Sequence, residues 1–399
     1  MPAPRLPLSG IRVVDLSRVL AGPYCGMLLS MLGAEVIKIE DKGGDESRQW
    51  PPHDADMGSS YLAMNLNKLG MVVDLKAPEG QQIVRDLAQR SDVLVENFKN
   101  GTMEKFGLGY DDLKGLNPRL VYTSVSAFGR AGPRADDLGY EALVQAYSGV
   151  MDATGFPDGL PVRCGVSFLD MSTGITATLA TVSALLLRER TGAGSRCDAS
   201  LLQTSLGLQS PQVSNFFQHG VVPKRMGTAH TQLAPYQAYP TADGHIFIAS
   251  GNQNLWERLA RALDLEWMIA DPRFKVNTLR VQNREALLAE VHQAIAKWTT
   301  AGLLVQLKQH GVPATPVNTI RDLMADGHVD AIGAVADLDD AEYGHLKVSG
   351  LPFFLNGRPG RVDQRAPKLG EHTRQVLESL DYPQEKIQAL LDKEVVRDE

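Results

Sequence analysis

Short apolar runs alternate with amphipathic stretches along the first third of the chain. Ile11–Leu16, Val36–Ile39, Met71–Asp74, Val93–Val95 and Leu120–Val125 are brief, apolar and bounded by turn residues, which predicts buried strands. Between several of them the apolar positions recur at helical spacing. In Pro78–Arg90, for example, Ile83, Val84, Leu87 and Ala88 fall on one face. Such alternation predicts an α/β fold with a mostly parallel sheet and helices on both sides. The opening unit, Asp15–Glu40, is the clearest case. A strand leads into a helix with Pro23 near its start, where a missing N–H costs little, and Gly33 stands where helices close. The turn between strand and helix carries no G-x-G-x-x-G, so a Rossmann-like fold is expected without dinucleotide chemistry.

Further along, a long apolar helix follows Asp170, runs to about Arg190 and ends at the Gly192–Gly194 turn. Its apolar core, Ile175–Leu187, is interrupted by Thr and Ser and is shorter than a membrane span. Residues 219–241 shift towards Pro, Gly and polar types and read as a linker between a first domain at 1–218 and a small α/β domain at 242–330. The small domain opens with the extended Asp243–Ser250 and continues into helices near Leu255–Leu263 and Arg284–Trp298. The remainder, 331–399, carries extended pieces at His345–Val348 and Leu351–Leu355 and an amphipathic helix near Pro383–Lys393.

Composition narrows the function classes. At 399 residues two domains are the default, and 43% hydrophobic with 22% charged residues is ordinary globular usage. The net charge of −7, without a Lys/Arg block, argues against a nucleic-acid partner. Met1–Gly10 shows no apolar signal core, and a cytoplasmic enzyme is expected. Cys25, Cys164 and Cys197 are scattered and odd in number, suggesting neither a disulfide framework nor a zinc site. Only His53 precedes residue 200, so a His-based site around the first sheet has little support; His230 reads as loop packing.

Three groups carry candidate chemistry. Asp170 precedes the long apolar helix and reads locally as an N-cap, yet a carboxylate held at a helix N-terminus is also oriented to act as a nucleophile on an acyl donor. Tyr140 and Glu141 open another helix and would ordinarily be packing and a first-turn acid. Lys38, Arg48, Lys68, Lys76, Lys99 and Lys105 read singly as solvated charges. Together they cluster near strand ends, where open α/β sheets place ligands and where a polyphosphate would need several cations.

Several segments taken in order then resemble the class III CoA-transferases of the formyl-CoA and carnitine type: DLSRVLAGP with LGAEVIKIE, GDESR, MNLNK, DVLVENFKNG, GLGYDDL, GVSFLDMSTG, RTGAGSRCDASLL and RAPKLGEHT. GTAHTQLAPYQAYPTADGHIFIASGNQNLWERL and DPRFKVNTLRVQNR are similar to the succinyl-CoA:glutarate branch. The resemblance implies that Asp170 is the nucleophile and that Tyr140, Glu141 and Leu20 line the reaction centre. It places coenzyme A, as the acyl-CoA substrate, on Lys38, Met71, Val73, Asp74, Leu75, Lys76, Asn97, Phe98, Lys99, Lys105 and the stretch from Gly139 to Glu141. It implies a large Rossmann-like domain completed by the 331–399 return, a small domain between, and an interlocked homodimer. No metal or redox cofactor, nucleic acid or membrane is expected. Two departures from formyl-CoA transferases weaken an oxalate or formate assignment: Leu20 replaces their Gln, and their glycine-rich loop is not evident around Ser250–Gln253. Asp41 stands where some relatives carry Arg.

The activity implied is transfer of CoA from an acyl-CoA such as succinyl-CoA to a small carboxylate or dicarboxylate, through an aspartyl anhydride and an aspartyl-CoA thioester. Arg18 and Arg163 are candidates for a distal carboxylate, since a guanidinium fork matches it in two hydrogen bonds. Two rivals are a 2-methylacyl-CoA racemase and a non-catalytic acyl-CoA-binding protein. Racemases carry a His at the position of Tyr140, and a phenol with an ordinary pKa of about 10 is a poor proton acceptor at neutral pH. A mere binder has no use for the acid at Asp170.

Overall fold

The computed structural model describes residues 6–54 and 57–399. The chain forms two compact units. The larger comprises the chain up to Val150, Cys164–Gly220 and His328–Glu399; the smaller comprises Met151–Arg163 and Val221–Gly327.

In the larger unit the apolar runs form β1 (Arg12–Asp15), β2 (Glu35–Glu40), β3 (Lys68–Val73), β4 (Val93–Glu96), β5 (Val121–Ser126) and β6 (Arg196–Ser200). They lie in the order 3-2-1-4-5-6, all parallel, with a short last strand, Val396–Arg397, added antiparallel to β3 at the edge. That is the Rossmann order, which reverses direction between β1 and β4, and crevices form beyond the carboxyl ends at such a switch point. Alternate residues of each strand enter opposite layers. Val14, Ile37 and Leu94 meet Ile83, Val84, Leu87 and Ala88 of α2 (Pro78–Gln89). Val13, Val36 and Val93 meet α1 (Ala21–Met31) and the long helix α4 (Phe168–Thr191) on the other face. Between them in the chain lies the short helix α3 (Glu141–Tyr147).

Three glycines allow α1 to ride close to the sheet and to α4. A Cβ on Gly22 would lie 2.3 Å from the Ser17 Cβ, and one on Gly26 would lie 2.6 Å from a carboxylate oxygen of Asp15. On α4, a Cβ at Gly174 would come within 2.8 Å of the Ala21 carbonyl oxygen. Helix α4 is the 24-residue element and, by length and composition alone, is apolar enough to cross a membrane, unlike the shorter stretch expected. It instead packs on β5, β6 and α1, with Arg188 buried and donating to Asp92 at 2.9 Å.

The C-terminal segment is stitched into the same unit. The Asn67 side chain donates to the Arg361 carbonyl at 2.7 Å and accepts from the N–H groups of Asp363 and Gln364 at 2.8 and 3.0 Å. Residues 335–349 form a hairpin of Val335–Asp340 against Gly344–Ser349; Leu351–Leu355, expected as extended, holds only an isolated bridge from Leu355 to Arg358. Helix Gln384–Asp392 lies where the amphipathic pattern placed it.

The smaller unit is built on an antiparallel three-stranded sheet of Tyr236–Pro240, His245–Ala249 and Ala314–Pro316. Its first strand falls inside the stretch read as linker: the Pro and Gly around it masked the alternation in which Gln237 and Tyr239 point inward. Met151–Arg163 also belongs here rather than to the first domain. Gly227 N–H donates to the Gly155 carbonyl at 2.7 Å and Arg225 holds Asp152 at 2.7 Å. Trp256, Phe274 and Tyr239 fill the core.

Candidate active site

The turn joining β1 to α1, Leu16–Leu20, stands at the switch point and is pinned from several sides. Ser17 donates its N–H to Asp15 at 3.0 Å. Asn97, just beyond β4, accepts from the Arg18 N–H and donates to the Arg18 carbonyl, both at 2.8 Å, a two-bond bridge across the point where the sheet reverses. Beyond the strand ends lies a cleft of about 160 Å³ whose walls include Leu75, Lys76, Phe98 and Phe106. Arg18 enters it, stacked 5.7 Å from the Phe98 ring and ion-paired to Asp41. Its guanidinium therefore sits with the residues expected for CoA and is already engaged there.

Several expected cations are turned inward, which corrects their reading as solvated charges. The Lys38 ammonium is wholly buried, donates to Asp45 at 2.9 Å and also bonds the Ser17 carbonyl. Lys68 is equally buried, with Asp15, the Pro23 carbonyl and Asn65 at 2.8–2.9 Å. Arg48 is clamped by Glu40 at 2.7 and 2.9 Å and lies 3.7 Å over the Tyr61 ring. The Lys38 ammonium thus supports the turn from beneath. Burial alone would lower its pKa, but Asp45, Asp15 and Glu40 outweigh that and raise it. Burial pulls Lys68 down to about 8 against the attraction of Asp15. The Met71 and Val73 side chains both belong to the core, and Val73 also borders the cleft. Asp74 accepts the Lys76 N–H at 2.9 Å. Lys76, Lys99 and Lys105 are exposed.

A fourth buried pair steadies the loop after β4. Glu96 bonds Arg130 and accepts the Phe98 N–H at 2.8 Å, while Arg130 donates to the Phe98 carbonyl at 3.0 Å and to Asn100 at 2.6 Å. Burial raises the Glu96 pKa although Arg130 opposes it. Glu96, Arg130, Asp15 and Asp45 escaped the sequence reading; the one available signal was charge adjoining strands that are otherwise apolar.

Asp170 does not stand at the cap position of its helix. Helix α4 starts two residues earlier, with Ser167 at the cap position, so Asp170 is half-buried in the first turn, where the Phe168 N–H bonds the Val166 carbonyl and the Met171 N–H the Ser167 carbonyl. Glu141, the first residue of α3, is buried and accepts from Gln145 at 2.6 Å and from the Leu169 N–H at 3.4 Å. Gln145 in turn accepts the Cys164 N–H at 2.9 Å. Glu141 is thereby fastened to the residue preceding Asp170. Gly174, one helical turn beyond Asp170, abuts Ala21, so Leu20 at the head of α1 shares this region of the larger unit. Tyr140 immediately precedes α3 and is 64% exposed. Arg163 is exposed and falls in the smaller unit. His230 accepts the Gln232 N–H at 3.1 Å, a loop-packing role. Among the described residues no cluster of three or more His, Cys, Asp or Glu is arranged to hold a metal.

The larger unit is thus an α/β domain with a parallel sheet, a cleft at its switch point and a carboxylate, Asp170, in the first turn of α4. Residues 8–373 match the family described as CoA-transferase family III. The chain is 39% identical over 389 residues to the succinate–glutarate CoA-transferase of Agrobacterium fabrum, covering 96% of this chain and 97% of that one. It is 38% identical over 393 residues to the succinyl-CoA:glutarate CoA-transferase of Mus musculus, covering 98% and 90%. The crystal structure of a CAIB/BAIF family protein from Brucella suis superposes with a TM-score of 0.86 at 39% identity, covering 95% of this chain and all of that one. The chain belongs to CoA-transferase family III.

Proposed function

We propose that this enzyme moves CoA from succinyl-CoA, or a similar short acyl-CoA, to a small dicarboxylate such as glutarate. The observation that carries the reading is the first-turn Asp170 with Glu141 fastened to the neighbouring N–H; the names of the similar enzymes support the acid class. In the first step an Asp170 oxygen attacks the thioester carbonyl and expels CoA thiolate, giving a mixed anhydride. The thiolate attacks the aspartyl carbonyl and expels the donor acid, leaving an aspartyl-CoA thioester. The acceptor carboxylate attacks that thioester and expels the thiolate, which then attacks the acceptor's acyl carbon. New acyl-CoA leaves and Asp170 is restored as carboxylate. Each tetrahedral oxyanion needs a hydrogen-bond donor beside the reacting carbonyl, and Glu141 steadies the start of α4 by accepting the Leu169 N–H. CoA lies along the cleft at Phe98, with Arg18, Lys76, Lys99 and Lys105 supplying charge for its phosphates.

The test is incubation with succinyl-CoA and a panel of carboxylates, read by mass spectrometry. New acyl-CoA matched by released succinate is expected. Hydrolysis alone, or exchange at the α-carbon without a new acyl-CoA, would overturn the reading.

We also propose a homodimer, interlocked as the resemblance implies. Leu179 on α4 is 67% exposed and Phe217 of the following helical segment 78% exposed, with Ile175, Leu186 and Leu187 also open. So much large apolar surface is characteristic of a covered interface. Light scattering on dilution should show no folded monomer; a stable monomer would refute the dimer.

A further inference from the structure

The GDESR stretch, Gly44–Arg48, has no assigned part in transfer, yet its Asp45 reaches the turn at the switch point. Val19 has φ of +72°, the left-handed region that a β-branched residue enters only under constraint. The constraint is visible. Asp45 is 1% exposed, and its two oxygens accept the Val19 N–H at 3.2 and 3.1 Å. The same carboxylate takes the Lys38 ammonium at 2.9 Å and the Ser47 N–H and hydroxyl at 3.0 and 2.8 Å. Lys38 also bonds the Ser17 carbonyl, and Asn97 holds both backbone groups of Arg18. Every residue from Ser17 to Val19 is therefore tied down before α1 begins, and the head of α1 is what meets α4 at Gly174.

We propose that Asp45, aimed by Lys38, is a positioning residue for CoA transfer: it holds Val19 left-handed and so fixes Leu20 and the head of α1 against the helix that carries Asp170. Asp45 touches no substrate in this arrangement; it acts through the turn. The inference rests on the assignment of Asp170 as nucleophile. Losing the lock lets the turn relax to a common conformation and shifts one wall of the reaction centre while the CoA cleft keeps Phe98 and Lys76.

In the full-length enzyme, Asp45→Ala, which removes the acceptor for the Val19 N–H, is expected to lower kcat on the order of 10²-fold, the effect of a displacement of about 1 Å at a reacting centre. The KM for succinyl-CoA should change little, since transition-state geometry rather than binding is lost. Adding Val19→Gly should restore most of kcat, because glycine adopts positive φ without help. A purely structural Asp45 would not give this rescue, as glycine returns no partner to Lys38. Should Asp45→Ala fold poorly, Lys38→Met with Asp45→Ala removes both charges together, and the same loss and the same rescue are expected. Wild-type kcat in either folded variant, or a loss that Val19→Gly leaves unrepaired, overturns the proposal. A failure of the nucleophile assignment is distinct: it appears as activity in Asp170→Ala.

Discussion

Asp170→Ala should lose CoA transfer on the order of 10⁴-fold or more, the range seen when a covalent nucleophile is removed from a catalytic group that works as a unit. The argument is one of bonds. In the proposed mechanism each half of the exchange passes through an acyl group on the Asp170 carboxylate, and neither a methyl group nor a carboxamide can take that acyl group and give it up again. Asp170→Asn is therefore expected to be as inactive as the alanine variant, although it preserves shape and most hydrogen bonding. Binding of CoA should survive in both, because the cleft at Phe98 and Lys76 lies at the ends of β1–β4 and is built independently of α4. Isothermal titration with CoA and single-turnover assays with succinyl-CoA separate the two properties. Hydroxylamine added during turnover of the native enzyme should leave a hydroxamate on the peptide containing Asp170. Turnover near the native rate in Asp170→Ala would end the covalent reading.

The neighbouring acid sharpens this expectation. Glu141 accepts the N–H of Leu169, so its carboxylate competes for one of the donors at the start of α4. A second acid so close to Asp170 fixes the first turn of α4, where the Phe168 and Met171 N–H groups bond the Val166 and Ser167 carbonyls. Glu141→Gln keeps an acceptor for Leu169, whereas Glu141→Ala frees the turn, which makes the glutamine variant the milder lesion on this account.

How far the sequence foretold this arrangement depends on the kind of force involved. Strands β1–β5, helix α2 and helix α4 were legible because each is set by local apolar periodicity, and a residue such as Leu87 reveals its inward face through its own neighbours in the chain. Lys38 and Lys68 were not legible. A lysine beside a strand looks solvated until the fold brings Asp45 and Asp15 to it, and for Lys68 the partner lies 53 residues away. Buried ion pairs are set by long-range geometry, and breaking one by removing a single partner costs about 3–5 kcal/mol, so these pairs are part of the fold's specification although no periodicity betrays them. Local signals also misplaced the start of α4. An Asp ahead of an apolar run looks like a cap, but the helix begins at Phe168 behind a Ser167 whose side chain makes no cap bond, which turns Asp170 into a first-turn residue. The strand Tyr236–Pro240 was hidden by the turn-rich composition on both sides of it.

Diacids should outrun monoacids as acceptors. If the proposed acceptor class is right, glutarate or succinate should exceed butyrate or propionate of matching length on the order of 10² in kcat/KM, each tenfold being about 1.4 kcal/mol. The physical basis is asymmetry in recognition. A site built to pair with a distal carboxylate leaves a desolvated cation without its partner when that carboxylate is replaced by methyl, and such a group discriminates far more strongly than a pocket that gains or loses a methylene. Both arginines with this chemistry are to be varied: Arg18, ion-paired to Asp41 at the cleft, and Arg163, seven residues ahead of Asp170 in the chain. Arg163→Gln should lower the rate with glutarate and hardly touch the slow rate with butyrate, collapsing the ratio towards one. Equal loss for both acids would assign Arg163 to structure or to CoA. Equal native rates for mono- and dicarboxylates would remove the diacid claim while leaving CoA transfer through Asp170 untouched.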